Sequence, residues 1–471
     1  MYVKLLTGTS KERIKEREKI VATAGKLSRF PGKVTEVYRD SKDQAKNERF
    51  INRVISMGHE SITDHDYLVF AIEDVSPIVE QILIEERIAS FTIKSRREVD
   101  FSKSGYYVPT FRDENYNEIK NNTFLQKAYE NHMQYLFGEY SKLIEMGVKK
   151  EDARFVLPYS FHSNIIMGVD AHTLKNLIVR FTKGKESKIA ELKELGEKFY
   201  SIVCNYLPYY KDVIDNTKAI NEDLVKLFLN QKIINHYNDL LDNVKLVSNT
   251  KDVDKEIIVT ALMRIYNYSH ENASHFYEKI FKNNEGLKNE LMRIILINGG
   301  EEFKQVNFKF NIPISLAVLT HLTRHRTHHL MVPDFTPIRD LTKYIVPPTL
   351  NEETKKIYES VFENNQRMYL TFKQFGICEE DLIYFYLAGN KVNVLTNMDG
   401  KTLQHIARLR ICNKAQWEIR KVTGEMRKLV LEKAPIYGSI LGPDCEVFLE
   451  CHEGKESCGK VKVLKEGLNA R

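Results

Sequence analysis

The sequence has no run of about 18 uninterrupted apolar residues, the length a bilayer-crossing helix needs, so no membrane span is expected in its 471 residues. Met1-Tyr2-Val3-Lys4-Leu5-Leu6 passes directly into a charged segment. A signal peptide is therefore not expected, and the chain reads as cytoplasmic. Six cysteines in so long a chain do not make a disulfide framework. Three of them, Cys445, Cys451 and Cys458, sit together near the end without a paired Cys-x-x-Cys pattern, which leaves a metal site there as an alternative reading. No Gly-x-Gly-x-x-Gly accompanies a strand and helix, so a dedicated dinucleotide domain is not expected. The net charge of +6 is small for this size. It suits anionic small molecules and lacks the concentrated basic stripe of a nucleic-acid binder, so neither nucleic acid nor membrane is expected as a partner.

What is present is the composition of a folded globular protein, 42% hydrophobic and 28% charged. The length predicts two or three domains. Internal similarity narrows this. Phe70-Ala71-Ile72 and Ser76-Pro77-Ile78 lead into a helical pattern ending at Glu85-Glu86-Arg87; Phe308-Lys309-Phe310 and Ile312-Pro313-Ile314 lead into one ending at Arg324-His325-Arg326. Tyr107-Val108-Pro109 is matched by Tyr344-Ile345-Val346-Pro347, and His172-Thr173-Leu174 by Lys401-Thr402-Leu403. Order and spacing are kept together, which points to a tandem duplication with its boundary near 212–222, where Asp212 to Thr217 interrupts two helical patterns. Alternation from Tyr67 to Ile72 and from Val306 to Phe310 predicts strands. Apolar spacing over Val79 to Ile88, Leu316 to Leu322 and Leu403 to Met426 predicts helices.

Two segments carry chemistry. Arg324-His325-Arg326 places two guanidinium groups around an imidazole at a helix end, a multi-donor surface suited to phosphate or to an anionic ring. A basic helix end favoured by the helix dipole is the plain alternative. His321, His325, His328 and His329 at helical spacing leave a metal open, although no His-Glu-x-x-His pattern supports it. The second segment, Arg410 to Ile419, carries the only tryptophan, Trp417, read as a core anchor embedded in a helix.

These residues resemble a known family. Arg324-His325-Arg326 is similar to the Arg-His-Arg signature of the flavin-dependent thymidylate synthases, and Arg410 to Ile419 to their arginine-to-Ala-Gln-Trp-Glu-Ile segment. Gly58-His59-Glu60-Ser61 with Asp64-His65, Arg87 to Phe91 with Ser95 and Arg97, and Ala153 to Pro158 resemble other family blocks. Gly442 to Lys460 resembles an extension found in some members. The resemblance implies an α+β fold in two tandem copies, each an antiparallel sheet with packed long helices, forming a pseudo-dimer. The copies would span 1–215 and 216–471, with a cysteine-containing tail at 436–471.

Each copy departs from the pattern in a complementary way. The first has Glu85-Glu86-Arg87 in place of the triplet, and Phe181, beside Arg180, in place of Arg410. The second keeps both but has Asp334 and Thr336 where the nucleotide loop should present serine and arginine; its counterpart of Arg154 falls near Tyr384. The family's loop acid falls on Ile93 and Val332, and a family glutamine on His321. The resemblance therefore implies a division of labour. Ser95, Arg97 and Arg154 would hold the phosphate of dUMP, with His321 and Arg410 at the nucleotide and Arg410 stabilising charge on the ring. Arg324, His325 and Arg326 would hold FAD, aided by His59, Ser61 and Asp64 and by Asp399, His405 and Lys414. NADPH and methylenetetrahydrofolate would be co-substrates, and a homodimer would act as a pseudo-tetramer. Alternatives are a related pyrimidine nucleotide as substrate, a non-catalytic nucleotide- or flavin-binding protein, and a metal-dependent hydrolase.

Overall fold

The computed structural model describes residues 1–219, 240–336 and 341–469. Alternation makes half-buried strands in both copies: Leu68, Phe70 and Ile72 are buried in the first, and Phe308, Phe310 and Ile312 in the second. They belong to two four-stranded antiparallel sheets. The first contains β1 (Tyr2–Leu5), β2 (Tyr67–Val75), β3 (Ser90–Ile93) and β4 (Ser163–Asp170), in the order β1-β2-β4-β3. The second contains β5 (Lys245–Asn249), β6 (Asn307–Ser315), β7 (His329–Met331) and β8 (Lys391–Asp399), in the order β5-β6-β8-β7. Helices repeat with the strands: Pro77–Ile84 with Leu316–Thr323, Asn122–Glu145 with Glu352–Gln374, Ala171–Lys183 with Gly400–Arg410, and Ala190–Tyr206 with Trp417–Lys433. The chain is α+β with two copies of one domain.

One buried clasp recurs in both copies. Ser76 begins the helix after β2, and Ser315 the helix after β6. Glu191 accepts from the Ser76 N–H at 2.7 Å and its hydroxyl at 2.5 Å; Glu418 accepts from the Ser315 N–H at 2.6 Å and its hydroxyl at 2.7 Å. Both carboxyls are shut off from water, and the serine's two donors help to satisfy each of them. Burial pushes Glu191 up to about 7.

Local differences from the sequence reading have physical causes. The first helix stops at Ile84 instead of reaching Ile88, because the chain turns to enter β3 at Ser90. The stretch from Leu403 to Met426 is two helices rather than one. Gln416 breaks it by capping the second, its side-chain oxygen accepting from the Glu418 and Ile419 N–H groups at 2.7 and 3.2 Å. Trp417, the first residue of that helix, is half-buried and is not a core anchor. Lys211–Asn216 is a short helix where an interruption was expected; the remainder of that boundary from 220 onward lies outside the described residues.

Compactness does not follow the two copies. The described residues of Met1–Asn238 and Asp334–Gly389 form one unit, and Asp239–Pro333 with Asn390–Arg471 the other. Within the first unit, helix Glu352–Gln374 from the second copy packs on its counterpart, Asn122–Glu145. His132 Nε2 meets Asn365 Oδ1 at 2.9 Å, and Asn365 Nδ2 donates to the Phe385 carbonyl at 2.6 Å. Phe111, Tyr129, Phe372 and Phe385 interlock with ring centroids 5.0 to 5.7 Å apart. Arg112 forks Asp381 at 2.6 and 3.0 Å. Among the described residues no helix is long and apolar enough to cross a membrane.

Replacing either clasp carboxylate strands a buried N–H and hydroxyl. Glu191→Ala and Glu418→Ala should each cost about 3 kcal/mol, read as a lower denaturant midpoint; an unchanged midpoint would show that the clasp holds nothing.

Candidate active site

In the second unit, apolar Leu316–Thr323 is buried along its length and delivers Arg324 as its C-cap residue. Arg324 and Arg326 are exposed while His325, between them, points inward and is buried. Arg410 ends the helix Gly400–Arg410 and reaches the same place. Its Nε donates to His325 Nε2 at 2.9 Å, and its Nη2 to the His321 carbonyl at 3.1 Å. A guanidinium can only donate, so His325 Nε2 must present its lone pair and the ring is neutral, with its proton on Nδ1. Burial, then the charge of Arg410, pushes His325 down to about 3. His405 lies edge-on to His325 at 5.6 Å and is itself lowered, first by burial.

Four of the residues assigned by resemblance, Arg324, His325, Arg326 and Arg410, are thus brought to one place, with His321 joining through its backbone and His405 through its ring. A cavity of about 840 Å³ opens beside them, lined by Thr327, Asp399, Lys401 and His405 among others. The hydroxyls of Thr402 and Thr327, 3.0 Å apart, tie the loop after the triplet to the helix that lines this cavity. Asp399 has a structural task as well: it caps that helix by accepting from the Thr402 N–H at 2.7 Å, as Asp170 does for Thr173 at 2.8 Å in the first copy. Lys414 stands apart, exposed in the loop between helices and paired with Glu456 at 3.1 Å.

The tail completes this cavity, since Asp444, Phe448 and His452 form one wall. Arg408 pairs with Asp444 at 2.8 Å, and Glu446 is gripped by both Arg427 and Lys460 at 2.6 Å. Tail cysteines gave no hint of this role; the signal lay in its alternating acids and bases. The metal readings find no support. His328 Nε2 donates to the Leu322 carbonyl at 3.1 Å and Nδ1 accepts from the Thr396 hydroxyl at 2.6 Å. Among the described residues no three His, Cys, Asp or Glu side chains converge on a metal position.

In the first unit, Ser95, Arg97 and Arg154 gather around Glu151. Arg97 Nε meets Glu151 Oε2 at 2.8 Å, Arg154 Nε donates to the Glu151 carbonyl at 3.0 Å, and Ser95 Oγ accepts from the Arg97 N–H at 3.4 Å. His59 and Ser61 line a second cavity of about 590 Å³ with Arg29, Arg53 and His65. Nothing in the helical pattern singled out Arg29 or Arg53, which carry no motif. Asp64 is not part of that lining and pairs with His172 at 3.1 Å. The altered triplet takes the equivalent cap position. Burial pushes Glu85 up to about 7, with the charge of Asp334 adding to it, and Asp334 pairs with Lys185 at 2.8 Å. Arg180 faces Glu186 at 2.9 Å and Glu86 at 3.8 Å. Tyr384, near the counterpart of Arg154, donates its buried hydroxyl to Glu191 at 3.1 Å.

A family model described as thymidylate synthase complementing protein matches residues 10–209 and again 245–436. The chain belongs to the flavin-dependent thymidylate synthase family. The flavin-dependent thymidylate synthase of Sulfurisphaera tokodaii is 29% identical over 207 residues, 43% of this chain and 79% of that protein. That of Clostridium tetani is 35% identical over 173 residues, 34% of this chain and 67% of that protein. A solved structure of the UMP/dUMP methylase PolB from Streptomyces cacaoi matches at 17% identity and a TM-score of 0.34, over 42% of this chain and 93% of that one; nothing is built on a score so low. As a thymidylate synthase family member, this chain is double, and its tail wall lies beyond the matched residues.

His325 should stay neutral through neutral and mildly acidic pH, as nitrogen shifts of its imidazole would report. A folded-state pKa below the unfolded 6.5 means its stabilising contribution is present above about 6.5 and is lost as pH falls toward 3. A ring that titrates near 6 would contradict the Arg410 hydrogen bond.

Proposed function

We propose that this chain methylates dUMP to dTMP, taking the carbon from methylenetetrahydrofolate and reducing equivalents from NADPH by way of FAD. It would work as a homodimer standing in for a tetramer. The observation that carries the reading is Arg410 held by His325 within the Arg-His-Arg triplet, in a chain that belongs to this family.

The residues fit such a cofactor. Arg324 and Arg326 offer exposed guanidinium groups that suit a dinucleotide's phosphates, and the neighbouring cavity of about 840 Å³ has a mixed lining, with Lys304, Lys401 and Arg408 beside Asp399, Asp444 and Glu450. The basic cavity around His59, Ser61, Arg29 and Arg53 suits the same class of anion. Bound FAD supplies the redox chemistry, and the chain binds, orients and polarises. Arg410 donates to the uracil ring where negative charge develops, and its charge costs no rearrangement because it is already in place. Arg97 exchanges Glu151 for the nucleotide phosphate, with Ser95 and Arg154 beside it. The first copy contributes this phosphate grip and the second the flavin grip, from one chain or from two. Val332 and Ile93, where the family has an acid, favour a related pyrimidine nucleotide as the second reading.

Tritium release from dUMP labelled at ring carbon C5 should require NADPH and methylenetetrahydrofolate together. A yellow, folded protein that releases none sinks the dUMP reading and favours a related nucleotide; a colourless one that still binds dUMP points to a binding protein. Arg97→Ala and Arg410→Ala should each lower kcat/KM by about a hundredfold or more. Mixing the two inactive variants restores activity if one site draws on two chains. Glu85→Ala and Asp334→Ala should stay within about twofold of the parent, and a large loss in either would reassign which residues work.

A further inference from the structure

We infer that His325 serves the pyrimidine chemistry as the positioning residue for Arg410, which rests on the proposed function and goes beyond the flavin contact that family resemblance implies. An arginine at a helix end samples many rotamers unless something holds it. Arg410 is held by Nε to His325 Nε2 at 2.9 Å and by Nη2 to the His321 carbonyl at 3.1 Å, among its contacts. Nε and Nη2 lie on one edge of the planar fork, so together they set its plane as well as its place. The anchors themselves are rigid. His321 and His325 are both buried, the His325 N–H donates to the Leu322 carbonyl at 3.1 Å, and its ring rests against His405.

The choice of imidazole matters electrostatically. A carboxylate would hold the guanidinium equally well but would cancel its charge. A neutral ring nitrogen orients Arg410 without itself adding a charge that would offset the guanidinium's. The first copy displays the opposite arrangement, where Arg180 is engaged by Glu186 and Glu86. With Nε2 committed to Arg410, His325 has only Nδ1–H for any other partner.

A double-mutant cycle tests this. His325→Phe keeps a ring but removes the acceptor, His325→Gln keeps a neutral acceptor, and His325→Glu adds a charged one. In the parent, His325→Phe should slow single-turnover oxidation of reduced flavin by dUMP and methylenetetrahydrofolate by at least about tenfold. The rate is read on protein saturated with FAD and dUMP, so that any weakening of either contact is separated from the chemical step. His325→Gln should recover most of the rate, and His325→Glu should not. In the Arg410→Lys background, which lacks Nε–H, His325→Phe should cost less than about twofold. Additive losses, or loss of flavin alone, would overturn the inference. Should the parent show no turnover, the proposed function fails separately. The positioning role is then read from the Arg410 Nε–H resonance, which should be slow to exchange in the parent and His325→Gln and lost in His325→Phe. An identical resonance in all three would overturn it, and the same measurement decides the matter if His325→Phe folds poorly.

Discussion

The clasp between a buried glutamate and the serine that starts the helix before the triplet sets where the triplet emerges in both copies. Glu191 with Ser76, and Glu418 with Ser315, tie the start of helix Ala190–Tyr206, or of Trp417–Lys433, to the junction between the long strand and the helix that follows it. That helix is eight residues long in each copy, and its C-cap residue is the first of the triplet. The clasp therefore fixes where Arg324, or Glu85 in its place, emerges. Glu418 also lies in the segment that begins at Arg410, so the triplet's helix and that segment are fastened at one buried point. Carboxylates so dry survive because both oxygens are satisfied, and breaking the pair would expose the whole helix start.

On this shared scaffold the two copies have diverged by charge. At the same cap position one presents a guanidinium and the other a carboxyl whose burial holds it near neutrality. The second copy's Asp334 joins the first copy's Glu85 and Lys185 within one compact unit. Acids gathered in this way disfavour a phosphate, whereas guanidinium groups such as those of Arg324 and Arg326 favour one. The serine-arginine grip and the Arg-His-Arg triplet each persist once.

The duplicated core explains why divergence was tolerated. Strand order, clasp, helix caps at Asp170 and Asp399, and the paired long helices all repeat. Both clasps keep their serine and glutamate although the triplet differs between the copies, and Tyr384, which stands near the place of Arg154 in the second copy, adds its hydroxyl to the first copy's clasp at Glu191.

The order of motifs, the alternation over β2 and β6 and the ordered repeat made the α+β duplication legible from residues alone, because periodicity and spacing are written locally. Arg324, His325, Arg326 and Arg410 stood out through their resemblance to family motifs, because a basic cluster at a helix end fits a solvated cap equally well when read by itself. Other features came only with the tertiary structure. Gln416 splits an apparently continuous helix through a side-chain cap that periodicity does not see. Helix Glu352–Gln374 packs with the other copy's unit because its apolar face fits its own counterpart, a long-range match with no local mark. The hydrogen bond from Arg410 to His325 joins residues 85 apart in sequence. Sequence determined which donors exist; burial and distance decided which one orients another, because a proton's place on an imidazole depends on the neighbour that faces it.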